Sequence, residues 1–422
     1  MTSSSGLPGR GLGAALTPGV AVIAPLAGSR HAHALHDRDL TPVAVDPVTA
    51  ATPPSHRGAA ADDGYAHVIT YDGDLRRTLK KLRAVGVGTV LAASPAGVEL
   101  AERIAWHLHL PGTGVPGSAS LRTDPGVQAK ALARAGITTP HTLRTSRLPE
   151  AISWADCVPA RAYRLMPAAF GTGAEVAHCH SSDQITRAWP RIQHAALRHT
   201  GTTALVLQEL VQGHEYMVDS ITHPGPGGPQ HTITSIWTHQ PPAAPGRPQR
   251  HDLLHRRNLL ARRLSIEVCR ALDALGVEDG TITSHLVFAP DQGPLLLSAR
   301  VNTHRSHADE TVWKITGMDP LDAALEYTRP DSGSPGPRIT RIRLQVPRPP
   351  GLSTVPVGRL QALPTVKCLD TRPSPDPFTT RSTRPSYEIV LSHDSRDAVE
   401  HDYHRITALT ALDHVSRHLP DR

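Results

Sequence analysis

Short apolar runs separated by amphipathic stretches govern the first hundred or so residues. The segments VAVIAPL (20–26), PVAVD (42–46) and TVLAA (89–93) have the length and composition of buried strands. LRRTLKKLRAVG (75–86) and GVELAERIAWHL (97–108) instead repeat apolar residues every three or four positions, which predicts helices packed by one face. Strands alternating with helices predict a doubly wound parallel sheet over roughly residues 18–115. In such an α/β domain the loops at the carboxyl ends of the strands face a ligand. No G-x-G-x-x-G follows the first strand, so the dinucleotide fingerprint is missing. Residues 1–17 lack the charged start and continuous apolar segment of a secretory signal and read as a disordered leader.

Beyond this domain the pattern turns α+β. DPGVQAKALARAGITTP (124–140) predicts a helix with Asp124 as N-cap, Pro125 at the first helical position and Gly136 at its end. Residues 159–189 read as strand, glycine-containing turn, strand and helix, and LVLQELVQGHEYMVDSIT (205–222) as strand, short hinge and strand. HTITSIWTH (231–239) is another strand, whereas QPPAAPGRPQRHD (240–252) reads as a loop, because its proline and glycine cannot build a core. A helix over 255–276 with Gly276 as C-cap precedes two strands, SHLVFAP and PLLLSARVN, around the turn DQG. These elements suggest subdomains at 116–204 and 205–330 and a terminal region at 338–422 that mixes strands with a final helical pattern.

Composition narrows the classes. A chain of 422 residues exceeds what one hydrophobic core usually supports. Its four cysteines are scattered without a C-x-x-C pair, which suits a reducing cytoplasm rather than a disulfide framework or structural zinc. No apolar run is long enough to cross a bilayer, so no membrane partner is expected. The net charge of +6 is spread along the chain and aromatics are 4%, which argues against nucleic acid as a partner. The 26 histidines form no H-E-x-x-H and read as surface substitutions.

The order of elements carries a resemblance. An α/β domain precedes a helix ending AGITTP, a strand–glycine loop–strand, Q-E-L-V-x-G-x-E, a helix ending DALG and a hairpin ending near Asn302. This resembles the ATP-grasp superfamily. Within it, GVELAERIAWHLHLPG (97–112), GHEYMVDSI (213–221), ITSIWTH (233–239), RALDALGVEDG (270–280) and GLSTVPVGRLQALPTV (351–366) resemble the L-amino-acid ligases, which join a carboxylate to an amine. The resemblance implies ATP and Mg2+ as cofactors, small-molecule carboxylate and amine substrates, and a homodimer or a partner ligase as protein partner. In that chemistry a carboxylate attacks the γ-phosphate, and cations must neutralise the phosphates.

Residue by residue, the resemblance assigns phosphate binding to Arg164, where the family usually carries Lys, and a phosphate-covering loop to Gly171 and Gly173. Glu209, Leu210 and Val211 match the hinge that reads the adenine edge, and Glu215 matches the acid that accepts from ribose. The metal half departs from the family. Val287 stands where a Glu is expected two residues after His285, and the strand end reads Arg300-Val301-Asn302-Thr303-His304 in place of Glu-x-Asn-x-Arg, with Arg305 one position late. Asn302 is the surviving metal candidate, and Arg300, His304 and Arg305 are the catalytic candidates. Pro125 replaces a helix-start Lys. Two readings stand side by side. One is an ATP-dependent ligase drawing metal ligands from elsewhere, such as Asp309 or Glu310; the other is a catalytically impaired homologue that binds nucleotide or a partner. In a variant of these, the guanidinium of Arg300 takes the place of a magnesium ion.

Overall fold

The computed structural model describes residues 18–26, 29–48, 63–110, 116–158, 160–169, 176–240, 248–255, 257–302, 307–317, 319–325, 340–347, 357–370 and 386–415. The expected leader lies outside them. Four parallel strands, β1 (Gly19–Ile23), β2 (Thr41–Pro47), β3 (His67–Tyr71) and β4 (Val87–Ala92), pair in the order β3-β2-β1-β4. β1 is buried along its whole length, as a strand covered on both faces must be. Its alternate residues feed two cores. Ala21 and Ile23 pack with Leu79 and Leu82 of α2 (Leu75–Val85) and Ile104 of α3 (Val98–Leu108), while Val20 and Val22 pack with Ala34 and Leu35 of α1 (His31–His36). Strand β3 has no counterpart among the expected strands. It is an edge strand with three of its five residues exposed, so it carries little apolar signal.

After α4 (Ser120–Thr123), Asp124 caps α5 (Pro125–Arg134) by accepting from the amides of Gly126 and Val127, as the sequence predicts. An antiparallel sheet follows, in the order β5-β8-β6-β7: β5 (Thr142–Thr145), β6 (Tyr163–Pro167), β7 (Ala177–Cys179) and β8 (Leu205–Glu209). Helices α6 (Leu148–Cys157) and α7 (Ser182–Thr200) back it through Ala151, Ile185, Trp189 and Ile192. Hydrogen bonding from β8 to β5 and β6 keeps this sheet together as far as Glu209.

The largest sheet has eight strands in the order β13-β12-β9-β10-β11-β14-β16-β15. They are β9 (His214–Gly225), β10 (Gly228–Gln240), β11 (Gln249–Leu253), β12 (Gly280–Ala289), β13 (Gly293–Val301), β14 (Thr340–Pro347), β15 (Val366–Asp370) and β16 (Ser386–His393). The expected loop at 240–252 is thereby corrected in its second half. β11 bridges β10 to β14, so the terminal region continues the same sheet, and backbone pairing rather than apolar content makes residues 249–253 a strand. α8 (Leu259–Ala274) covers one face through Leu264, Val268 and Leu272. α9 (His307–Thr316) packs with Met217 and Trp237 through Ala308 and Val312, and α10 (Pro320–Ala324) reaches back to the parallel sheet through Leu321. α11 (Val357–Gln361) and α12 (Arg396–Val415) cover β14 and β16. Ion pairs knit the parts. Buried Arg38 meets Asp319 at 2.7 Å and also Asp322, and Arg30 meets Glu310 at 2.6 Å.

Candidate functional site

The chain leaves the antiparallel sheet at Glu209 and enters β9 at His214. Between them Gly213 passes so close to β12 that a Cβ there would lie 2.3 Å from the Phe288 carbonyl oxygen. Glycine is therefore required at this crossing. The crossing sets the face that β9, β12 and β13 turn toward β6. Register pairs Glu215 with Val287, Asp219 with Thr283, and Thr283 with Arg300. Directly opposed strand residues share a face, and so do residues two apart. Glu215, Met217, Asp219, Thr283, His285, Val287 and Arg300 therefore lie on one surface.

Its centre is ionic. Arg164 Nη2 on β6 donates to Glu215 Oε1 at 3.2 Å, and His285 Nε2 donates to Glu215 Oε2 at 2.9 Å. Burial opposes ionisation of Glu215, but the hydrogen bond from His285 and the charges of His285, Arg164 and His239 outweigh it and hold the carboxyl well below the usual carboxylate range. Burial pushes the His285 imidazole down, against the pull of Glu215, and the charges of Arg164 and Arg300 push it the same way. At neutral pH His285 is thus a neutral donor through Nε2, and Arg164 is the permanent cation beside Glu215. Arg164 Nε is buried with no hydrogen-bond partner among the described residues.

The other expected residues fall as follows. The Glu209 carboxylate is taken by His141, whose Nδ1 lies at 2.8 Å and whose amide donates at 3.2 Å. The amides of Glu209 and Leu210 donate to the His141 and Ala162 carbonyls. Val211 packs on an apolar patch of Val287, Ala289, Leu295 and Leu297. Asn302 does not join the Glu215 cluster as a ligand. It lines a cavity of about 90 Å³ between β4, the start of β12 and α10, together with Arg122 and Asp279. Burial pushes Arg122 down to about 10, against the pull of Asp279, and it is also paired with buried Glu102. Gly171, Gly173, His304 and Arg305 lie outside the described residues.

Several participants escape a linear reading. Asp219 accepts from Thr283 Oγ1 at 2.7 Å and Ser235 Oγ at 2.6 Å. Its spacing of four from Glu215 on a strand was the available signal. Gln128 of α5 accepts from the Ala299 amide at 2.9 Å and donates to the Ala299 carbonyl, and Gln208 Nε2 donates to the Leu297 carbonyl at 3.1 Å. These two glutamines pin the backbone immediately before Arg300. Their partners lie 171 and 89 residues away, so no local pattern marks them.

The two positions where the resemblance expects magnesium-binding acids carry no oxygen ligand on their side chains. Val287, at the expected ligand position, is 1% exposed within an apolar patch, and Arg300 occupies the second position. Magnesium takes hard oxygen ligands in octahedral geometry. Neither residue supplies one, and among the described residues no group of three His, Cys, Asp or Glu is arranged to hold a metal ion. Glu310, a candidate substitute ligand, is instead committed to Arg30.

No family profile matches the sequence, and no curated protein resembles it at the sequence level. Solved structures do. The L-amino acid ligase of Bacillus licheniformis superposes with a TM-score of 0.67 at 14% identity, over 93% of this chain and 97% of that one. A carboxyaminoimidazole ribonucleotide synthase from Aspergillus clavatus, complexed with ATP, gives 0.67 at 12% identity over 94% and 99%. The N5-carboxyaminoimidazole ribonucleotide synthetase of Thermus thermophilus gives 0.64 at 15% identity over 96% and 100%. Nearly the whole of this chain thus shares the fold of these three proteins.

Proposed function

We propose that the protein binds ATP between β6 and the β9–β12–β13 face and uses it to join a small carboxylate to an amine. The observation that carries this reading is Arg164, which is held by Glu215 and keeps a buried Nε donor unmatched among the described residues. In the proposed reaction a carboxylate oxygen bonds to the γ-phosphorus as the bond to the ADP oxygen breaks. The amine nitrogen then attacks the acyl carbon, phosphate leaves, and the amine proton passes to solvent. Arg164 would offset charge on the transferring phosphoryl group. We place the organic substrate in the cavity lined by Arg122, Asp279 and Asn302, where a cation and an anion adjoin aliphatic walls. That lining suits a small molecule bearing a carboxylate and an amine. An apolar cavity of about 150 Å³ takes benzene, so this smaller one suits a compact guest.

A second reading is supported by Val287 and Arg300. With both acids replaced, the chain would bind nucleotide and turn it over slowly or not at all. Incubation with ATP, magnesium and an amino-acid panel, reading phosphate release beside calorimetric nucleotide binding, separates the two. Release that needs one carboxylate and one amine supports the ligase. Binding without release across the panel supports the impaired homologue, and absence of nucleotide binding removes both.

A further inference from the structure

We infer that this site handles nucleotide phosphates without a divalent cation, with Arg300 supplying the positive charge. The inference rests on the nucleotide reading above and deepens it. Three observations carry it.

The first is that the carboxylates of this face are already committed. Both oxygens of Glu215 accept, from Arg164 and His285, and both oxygens of Asp219 accept, from Thr283 at 2.7 Å and Ser235 at 2.6 Å. A divalent ion at Glu215 would have to share that carboxylate with the Arg164 guanidinium, whose positive charge repels it. The four residues after Asn302, Thr303 to Ser306, contain no carboxylate to add.

The second is the chemistry at the two rewritten positions. Val287 is sealed into the patch with Val211, Leu295 and Leu297, so no oxygen ligand can be offered there. Arg300 puts a permanent positive charge on the face, and a divalent cation beside it would be repelled. A phosphate would be attracted. The guanidinium fork meets two phosphate oxygens at once, which an ammonium cannot do.

The third is that the strand carrying Arg300 is held in place. Gln128 bonds both backbone groups of Ala299, and Gln208 bonds the Leu297 carbonyl. Arg300 is cross-strand to Thr283, which bonds Asp219, and its charge reaches His285. Arg164 from β6 and Arg300 from β13 therefore both bring positive charge to bear on His285, the partner of Glu215, and charge carried on a braced strand needs little reorganisation on binding.

The test is calorimetry on the full chain with ATP and, separately, adenosine, each in EDTA and in magnesium. The expected result is ATP affinity equal within about twofold in the two buffers. Arg300→Ala should weaken ATP by about 10- to 100-fold, as loss of charge-assisted hydrogen bonds does. Adenosine, which has no phosphate, should bind Arg300→Ala as it binds the parent. Arg300→Lys should recover part of the loss. ATP binding that disappears in EDTA and returns with magnesium overturns the inference and leaves the nucleotide reading standing. Equal loss of ATP and adenosine in Arg300→Ala also overturns it, because Arg300 would then be structural. Failure of the parent to bind ATP or adenosine in any buffer removes the nucleotide reading, and the inference with it.

Discussion

Two regions of one surface differ in how far they keep the chemistry expected of their positions. On the β6 and β9 side, Arg164 and Glu215 stand where a phosphate cation and an acid are expected, and they bond each other. On the β12 and β13 side the strands pair in register, yet the acidic positions hold Val287 and Arg300. Backbone pairing fixes where a side chain sits, but not what it is. A shared fold therefore does not by itself fix the chemistry of the positions it aligns. The altered half is also well supported. Val287 has an apolar patch to fill, and Gln128 and Gln208 hold the strand that carries Arg300.

The most forceful challenge to this contrast is to restore an acid. Val287→Glu is expected to cost about 4 kcal/mol in chemical denaturation, because it buries a carboxylate among aliphatic groups. If the variant keeps parental stability and gains magnesium-dependent nucleotide binding, the two halves are not as different as the side chains imply. Removing the cation from the retained half should cost less. Arg164→Ala leaves Glu215 partly buried with a neutral histidine as its partner, and about 2–3 kcal/mol of stability should be lost, together with most nucleotide affinity. An unchanged ATP affinity would detach Arg164 from the site.

Gln128→Ala probes the same contrast from the scaffold. Two backbone hydrogen bonds at Ala299 disappear, for an expected loss of about 1–2 kcal/mol. ATP should weaken by less than tenfold while adenosine is unaffected, read by the same calorimetry. The smallest effect expected is on pH dependence. His285 and Glu215 both have folded-state values below their ordinary ones of 6.5 and 4.5, so between each pair of values the unfolded chain binds more protons. Their contribution is full above pH 6.5 and declines first as pH falls below that value, through His285. It declines again below pH 4.5, through Glu215. His285→Gln should flatten the upper part of the stability–pH curve and also shrink the lower part, because the imidazole charge that helps hold Glu215 down is removed. A curve that keeps its upper slope in this variant would place the titration elsewhere.

Much of the molecule is legible in the linear chain. The apolar runs specify β1, β2 and β4, the amphipathic repeats specify α2 and α3, and Asp124 with Pro125 specifies the start of α5, because these are local preferences of residues for strand, helix or cap. Arg164, Glu215, Val287 and Arg300 also stand out there as positions of interest. The remainder was settled in three dimensions. Edge strand β3 and strand β11 exist because their backbones complete sheets, although their side chains give little sign of it. Glu215 became a shared acceptor of Arg164 and His285, Asp219 joined the same face, and distant glutamines clamped β13. Each of these is a contact between residues far apart in the chain. Such contacts are set by strand register and by the close pass at Gly213, and a linear pattern carries neither.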